Sequence, residues 1–147
     1  MLKKNKMKKV KFSINITAPK EKVWDTLWNE ATYRQWTSVF AADSHAVSDW
    51  NEGSTIKFID GKGDGMFSII ETKIPHQQMS FKHLGEVKNG VETTSEWAGA
   101  MENYFLTEIN GNTELVMEMD MNEEFEKYFS ETFPKAIELI KQISESN

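Results

Sequence analysis

"TELVMEMDMN", residues Thr113 to Asn122, puts a large flexible side chain at every second position: Leu115, Met117, Met119 and Met121. Between them stand Glu114, Val116, Glu118 and Asp120. A period of two is that of a β-strand with one dry and one wet face. Valine and isoleucine are the better strand formers, so a dry face this rich in methionine has to be explained. Methionine fills irregular gaps in a core, and for the same reason it lines surfaces that adapt to a changeable guest. Core filler and pocket wall are both open readings at this point.

Working outward, "NGN" (Asn110 to Asn112) is a hairpin turn, so "EWAGAMENYFLTEI" before it reads as a long partner strand. Further upstream, "MSFKHL" alternates Met79, Phe81 and His83 against Ser80 and Lys82. "MFSIIETKI" is a strand ended by Pro75, with Phe67 and Ile69 competing against Met66 and Ile70 for its inner face. "WNEGSTIKF" places a turn at Asn51-Glu52-Gly53 before a strand through Ile56 and Phe58. At the start of the chain Val10, Phe12, Ile14 and Ile16 alternate inward.

Two regions change period. In "TAPKEKVWDTLW" Val23, Trp24, Leu27 and Trp28 recur at helical spacing behind Pro19, and "ATYRQWTS" makes a second short helix. After Asn122, a helix cap followed by Glu123 and Glu124, a stripe runs through Phe125, Tyr128, Phe129, Phe133, Ile137, Ile140 and Ile143 or Ser144. Pro134 interrupts it, and a kink or break is expected near Phe133.

Bulk properties narrow the function classes. With 147 residues, 39% hydrophobic and 27% charged, the chain is expected to form one domain with a real core. No apolar run approaches membrane-spanning length, and the basic N-terminus lacks the apolar segment of an export signal. The absence of cysteine excludes disulfides and thiolate metal sites and fits a reducing, cytoplasmic setting. Six lysines crowd the first eleven positions, and the rest is acidic enough to give a net charge of −6. Residues 1–8 therefore read as a flexible basic arm, and the acidic body argues against binding nucleic acid.

The order of these pieces resembles the START-like, or helix-grip, superfamily (SRPBCC), and its branch similar to the activator of the heat-shock-90 ATPase. The resemblance is carried by "ITAPKEKVWDTLW", "YRQW", "WNEGSTIKF", "IPHQQMSFKH", "NGNTELVME" and "FPKAIELIKQI", and it covers nearly all of the chain beyond residue 8. His83 departs from it, standing where an aromatic is common, as does Thr132, which replaces a frequent glycine. The fold it implies is α+β: a curved antiparallel sheet of about six to seven strands wraps a long C-terminal helix, with two short helices after the first strand. It also implies a cavity for an apolar or amphipathic small molecule. Its members range from carriers and cyclases to co-chaperones, so the fold alone does not select among them.

Trp36, Ile70, Phe81, His83, Trp97, Tyr104, Met117, Met119, Phe129 and Phe133 are the candidate ligand-binding residues. Close packing of these side chains among themselves is the competing reading. His83 could offer a hydrogen bond or act as acid or base, but the sequence shows no second catalytic group beside it. A satisfied histidine near a strand end explains it more simply. Glu102 could face inward with Tyr104, although a rim position suits a carboxylate better. His45, His76 and His83 lie on separate elements without ligand spacing, so no metal and no cofactor is expected. The expected function is binding of an apolar or amphipathic small molecule, without catalytic residues. The alternatives are a co-chaperone-like module with a chaperone partner, and a cyclase- or hydrolase-like enzyme acting on a small aromatic substrate.

Overall fold

The computed structural model describes residues 7–146. The inner strand of the opening motif is β8 (Asn112–Asn122), flanked on one side by β1 (Met7–Ile16) and on the other by β7 (Met101–Ile109). Leu115, Met117, Met119 and Met121 are all buried, as their alternation requires. The sheet continues through β5 (Gln78–Lys88), β4 (Gly65–Ile74), β3 (Thr55–Ile59) and β2 (His45–Val47), every pairing being antiparallel. An eighth strand, β6 (Val91–Thr94), pairs with the second half of β5. Register shifts at Phe67/Ser68 and Ile70/Thr72 mark bulges in β4, and bulges bend a sheet.

Helices α1 (Lys20–Trp28) and α2 (Glu30–Thr37) follow the first strand, and α3 (Glu123–Glu145) closes the chain. Asn122 caps α3 by accepting from Phe125 N at 3.1 Å. The far end of α3 is tied to the sheet: Glu145 accepts from Thr17 N at 2.8 Å, and Lys141 reaches Asn15 O at 3.1 Å. Ala136, Ile137, Ile140 and Ser144 bury the second half of α3 in the core, whereas Phe125 and Tyr128 in its first half stay exposed. Among the described residues no helix is long and apolar enough to cross a membrane.

Several expectations change. The proline at position 134 does not end the helix, which runs unbroken from Glu123 to Glu145. Pro134 lies on the exposed side, where water can take up the carbonyl that its missing N–H leaves free. The strand expected from residue 96 begins only at Met101. Residues 96–99 form a turn, with Gly99 at φ +98°, and Trp97 sits in that turn. Among the described residues the sheet has eight strands, more than the six to seven expected, since β2 and β6 are too short to show a period in sequence. Met7 and Lys8 already belong to β1, and the rest of the expected basic arm, residues 1–6, lies outside the described residues. The inner face of β4 is the one carrying Met66, Ser68 and Ile70.

The hand-over of β5 from β7 to β6 is made next to Gly85. A Cβ there would meet Thr93 O at 2.0 Å, closer than any side-chain adjustment can relieve. Gly85→Ala is therefore expected to lower stability by about 1–3 kcal/mol, the usual cost of overpacking. A fall in urea midpoint without a change in m value would show it.

Candidate functional site

The site grows out of strand register. Alternation on β5 turns Met79, Phe81 and His83 inward, and alternation on β7 does the same for Glu102 and Tyr104. Phe81 lies opposite Glu102, which in turn lies opposite Met119 on β8. Ser68 of β4 lies opposite His83. Glu102 is thus the diagonal neighbour of His83, within reach of a long side chain.

These four polar side chains form one hydrogen-bonded chain. Ser68 Oγ is 2.6 Å from His83 Nδ1, His83 Nε2 is 3.0 Å from Glu102 Oε1, and the Tyr104 hydroxyl donates a short bond to Glu102 Oε2. A carboxylate oxygen accepts, so Nε2 donates to Glu102, and Nδ1 is the ring atom that meets the Ser68 hydroxyl. The side chains of His83 and Glu102 are 8% and 17% exposed, so the pair is held largely out of water. Burial, and secondarily the charge of Glu102, pushes the Tyr104 phenol well above its ordinary range. The same two causes raise Tyr33.

His83, Glu102 and Tyr104 of this polar chain border a cavity of about 500 Å³. Trp28 is the hub of its aromatic wall, with ring centres 4.8 Å from Tyr104, 5.4 Å from Phe81 and 6.4 Å from Trp36. Trp36 is locked in place by donating from Nε1 to Leu27 O at 3.1 Å. Phe58 stands 5.0 Å from Phe81 and 6.0 Å from His83. Phe40 and Phe133 pack at 4.8 Å across the gap between the loop after α2 and α3. The half-exposed Met7, Phe125 and Tyr128 also line the cavity, which places its mouth beside the N-terminal half of α3. Tyr128 straps that mouth by donating to Phe40 O at 2.8 Å.

Of the ten candidate residues, Trp36, Phe81, His83, Trp97, Tyr104, Met119, Phe129 and Phe133 line this cavity. Ile70 and Met117 do not: both are fully buried within the core cluster. The methionine stripe is therefore divided. Met119 and Met121 face the cavity, while Met117 is packed filler. His83 does have a titratable neighbour, contrary to the sequence reading, because register brings Glu102 to it across 19 positions of chain. Glu102 sits inside, not at a rim. Trp28, Phe40 and Phe58 were not singled out as wall residues. Trp28 showed only as part of an apolar helix stripe, and that pattern cannot say which member borders a void. Among the described residues no cluster of three or more His, Cys, Asp or Glu could hold a metal ion.

No protein-family model matches the sequence, and no curated protein sequence matches it. Solved structures do share its shape. The Aha1 dimer from Colwellia psychrerythraea matches with TM-score 0.72 at 20% identity, over 94% of this chain and 96% of that one. DynU16, from the dynemicin biosynthetic locus, gives 0.71 at 15% identity over 94% of this chain and 47% of its own. Protein MLL2253 from Mesorhizobium loti gives 0.71 at 15% identity, over 92% and 96% respectively. The chain thus spans about half the length of DynU16 and nearly all of the other two. It has the helix-grip, START-like fold, an α+β architecture.

Two outcomes follow from the polar chain. Removing His83 leaves Glu102 and Ser68 without their partner, so His83→Leu is expected to cost about 2–3 kcal/mol. The double variant with Glu102→Leu is expected to cost less than the two single losses added together, in a chemical-denaturation cycle. Tyr33 and Tyr104 have raised folded-state pKa values, while the unfolded chain ionises tyrosine near pH 10. Their contribution is complete below that pH and is lost above it, at about 1.4 kcal/mol per pH unit for each. Denaturation midpoints across the alkaline range, for the wild type against a Tyr33→Phe/Tyr104→Phe variant, measure this loss.

Proposed function

We propose that the protein binds a small, largely apolar molecule with one polar end in the cavity between the curved sheet and the N-terminal half of α3. The observation that carries this reading is the unfilled space itself: about 500 Å³ walled largely by aromatic and methionine side chains, with His83 and Glu102 among its polar lining. Chains close-pack their interiors to crystal density, so a space of that size beside a solid core is a feature needing a purpose. Ligand pockets typically span about 300–1,000 Å³, mostly apolar with a few placed polar groups. Met119 and Met121 supply adaptable wall, and the aromatic rings supply area. The reading requires no cofactor. A cysteine-free, acidic chain suits the cytoplasm as the place where it works.

A second reading is favoured by the Ser68–His83–Glu102–Tyr104 chain: acid–base catalysis on the bound guest. A carboxylate and an imidazole in contact inside an apolar site can move a proton. Ser68 is fully buried and does not border the cavity, so it orients His83 and is no nucleophile. Binding is the simpler account, because both ring nitrogens of His83 are already engaged.

A neutral solvatochromic dye such as Nile red is expected to bind one per chain, with micromolar affinity and a blue-shifted emission. Met119→Trp, which fills the cavity from β8, is expected to weaken that binding at least tenfold while leaving the free energy of unfolding within about 1.5 kcal/mol of wild type. A wild-type protein that leaves the dye in water, or a filled variant that binds it equally well, overturns the reading.

A further inference from the structure

The cavity has a charge character that its apolar walls conceal. Five carboxylates border it, Asp60, Asp64, Glu86, Glu102 and Asp120, and among the described residues no lysine or arginine does. Their charges are not equivalent. Asp120 is paired with Lys9 at 3.7 Å and also accepts from Met101 N. Asp60 and Asp64 accept from backbone N–H groups of the surrounding loops, which fixes them without neutralising them. Glu102 is the one placed among the aromatic rings. Its partners are a phenol and a ring nitrogen of His83, each giving it one hydrogen bond, and no lysine or arginine pairs with it among the described residues. Each of its oxygens therefore keeps an acceptor direction free.

Resting on the reading of this space as a binding cavity, we infer that the guest is a cation: a lipophilic amine whose ammonium group sits at Glu102 and whose apolar body lies against Trp28, Trp36, Phe81 and Tyr104. Two physical effects converge on this class. A carboxylate with its side chain only 17% exposed attracts a cation more strongly than one in open water, because it is screened less. Aromatic faces add to that attraction and repel anions. A fatty acid or other carboxylate guest would meet the opposite on both counts, with no lysine or arginine among the described residues of the cavity wall to receive it. The two hydrogen-bonding partners hold the carboxylate in place before the guest arrives, so little ordering is left to the binding step.

The test compares three guests with the same apolar body and different charge: pyrenemethylamine, methylpyrene and pyrenecarboxylate. Their binding to the whole chain is read by energy transfer from tryptophan to pyrene at pH 8, above the ordinary range of histidine. The amine is expected to bind about tenfold tighter than the hydrocarbon and about a hundredfold tighter than the acid. In Glu102→Gln, which can still hydrogen-bond His83 and Tyr104, the amine is expected to fall to the affinity of the hydrocarbon. The wild-type order of the three guests stands as evidence by itself if that variant does not fold. Equal binding of all three, or a preference for the acid, overturns the cationic guest and leaves the receptor reading in place. If none binds, methylpyrene included, both fall.

Discussion

A straight helix cannot follow a strongly curved sheet along its whole length, and the rest of the molecule is arranged around that mismatch. The second half of α3 meets the sheet and α1 and closes against them through Ala136, Ile137 and Ile140. The first half stands away, anchored by the Asn122 cap and by the strap from Tyr128 to Phe40. What opens between is the cavity. The same helix thus does two jobs with one apolar stripe, sealing the core at one end and walling a hollow at the other.

The hollow has a largely apolar wall and a hydrogen-bonded polar cluster set into it, and these are coupled. Burial makes an unpaired carboxylate costly, so Glu102 persists there because His83 and Tyr104 both serve it, with Ser68 serving His83 in turn. Four residues from three strands hold one another in orientation. A site so placed is shaped before any guest enters it. Its similarity in shape to the Aha1 dimer and to DynU16 accounts for the scaffold, and at 20% and 15% identity it says nothing of the cargo.

Much of the fold was legible because periodicity is a local signal. The opening strand, the hairpin at Asn110-Gly111, the two short helices and the long closing helix all announce themselves within a dozen residues. The hairpin between β5 and β6 was missed although Asn89-Gly90 has the same dipeptide, at φ +53° and +78°. Its strand is only four residues, all exposed, and gives no alternation to read. Pro134 misled for a related reason. Proline disfavours helix locally, but packing of Phe133, Ala136 and Ile137 on both sides of it outweighs that preference.

The sequence by itself determined the longer strands and the helices and the apolar side of most of them, since both follow from chain neighbours two to four positions apart. It determined the acidic balance and the absence of thiol chemistry as well. Only the tertiary structure decided which apolar residues border empty space and which are packed solid, so that Met119 faces a cavity while Met117, two residues away on the same face, does not. It alone brought Glu102 to His83, because strand register joins residues 19 apart with no trace in local pattern. A void and a buried polar contact are properties of the space between elements, and no single element encodes them.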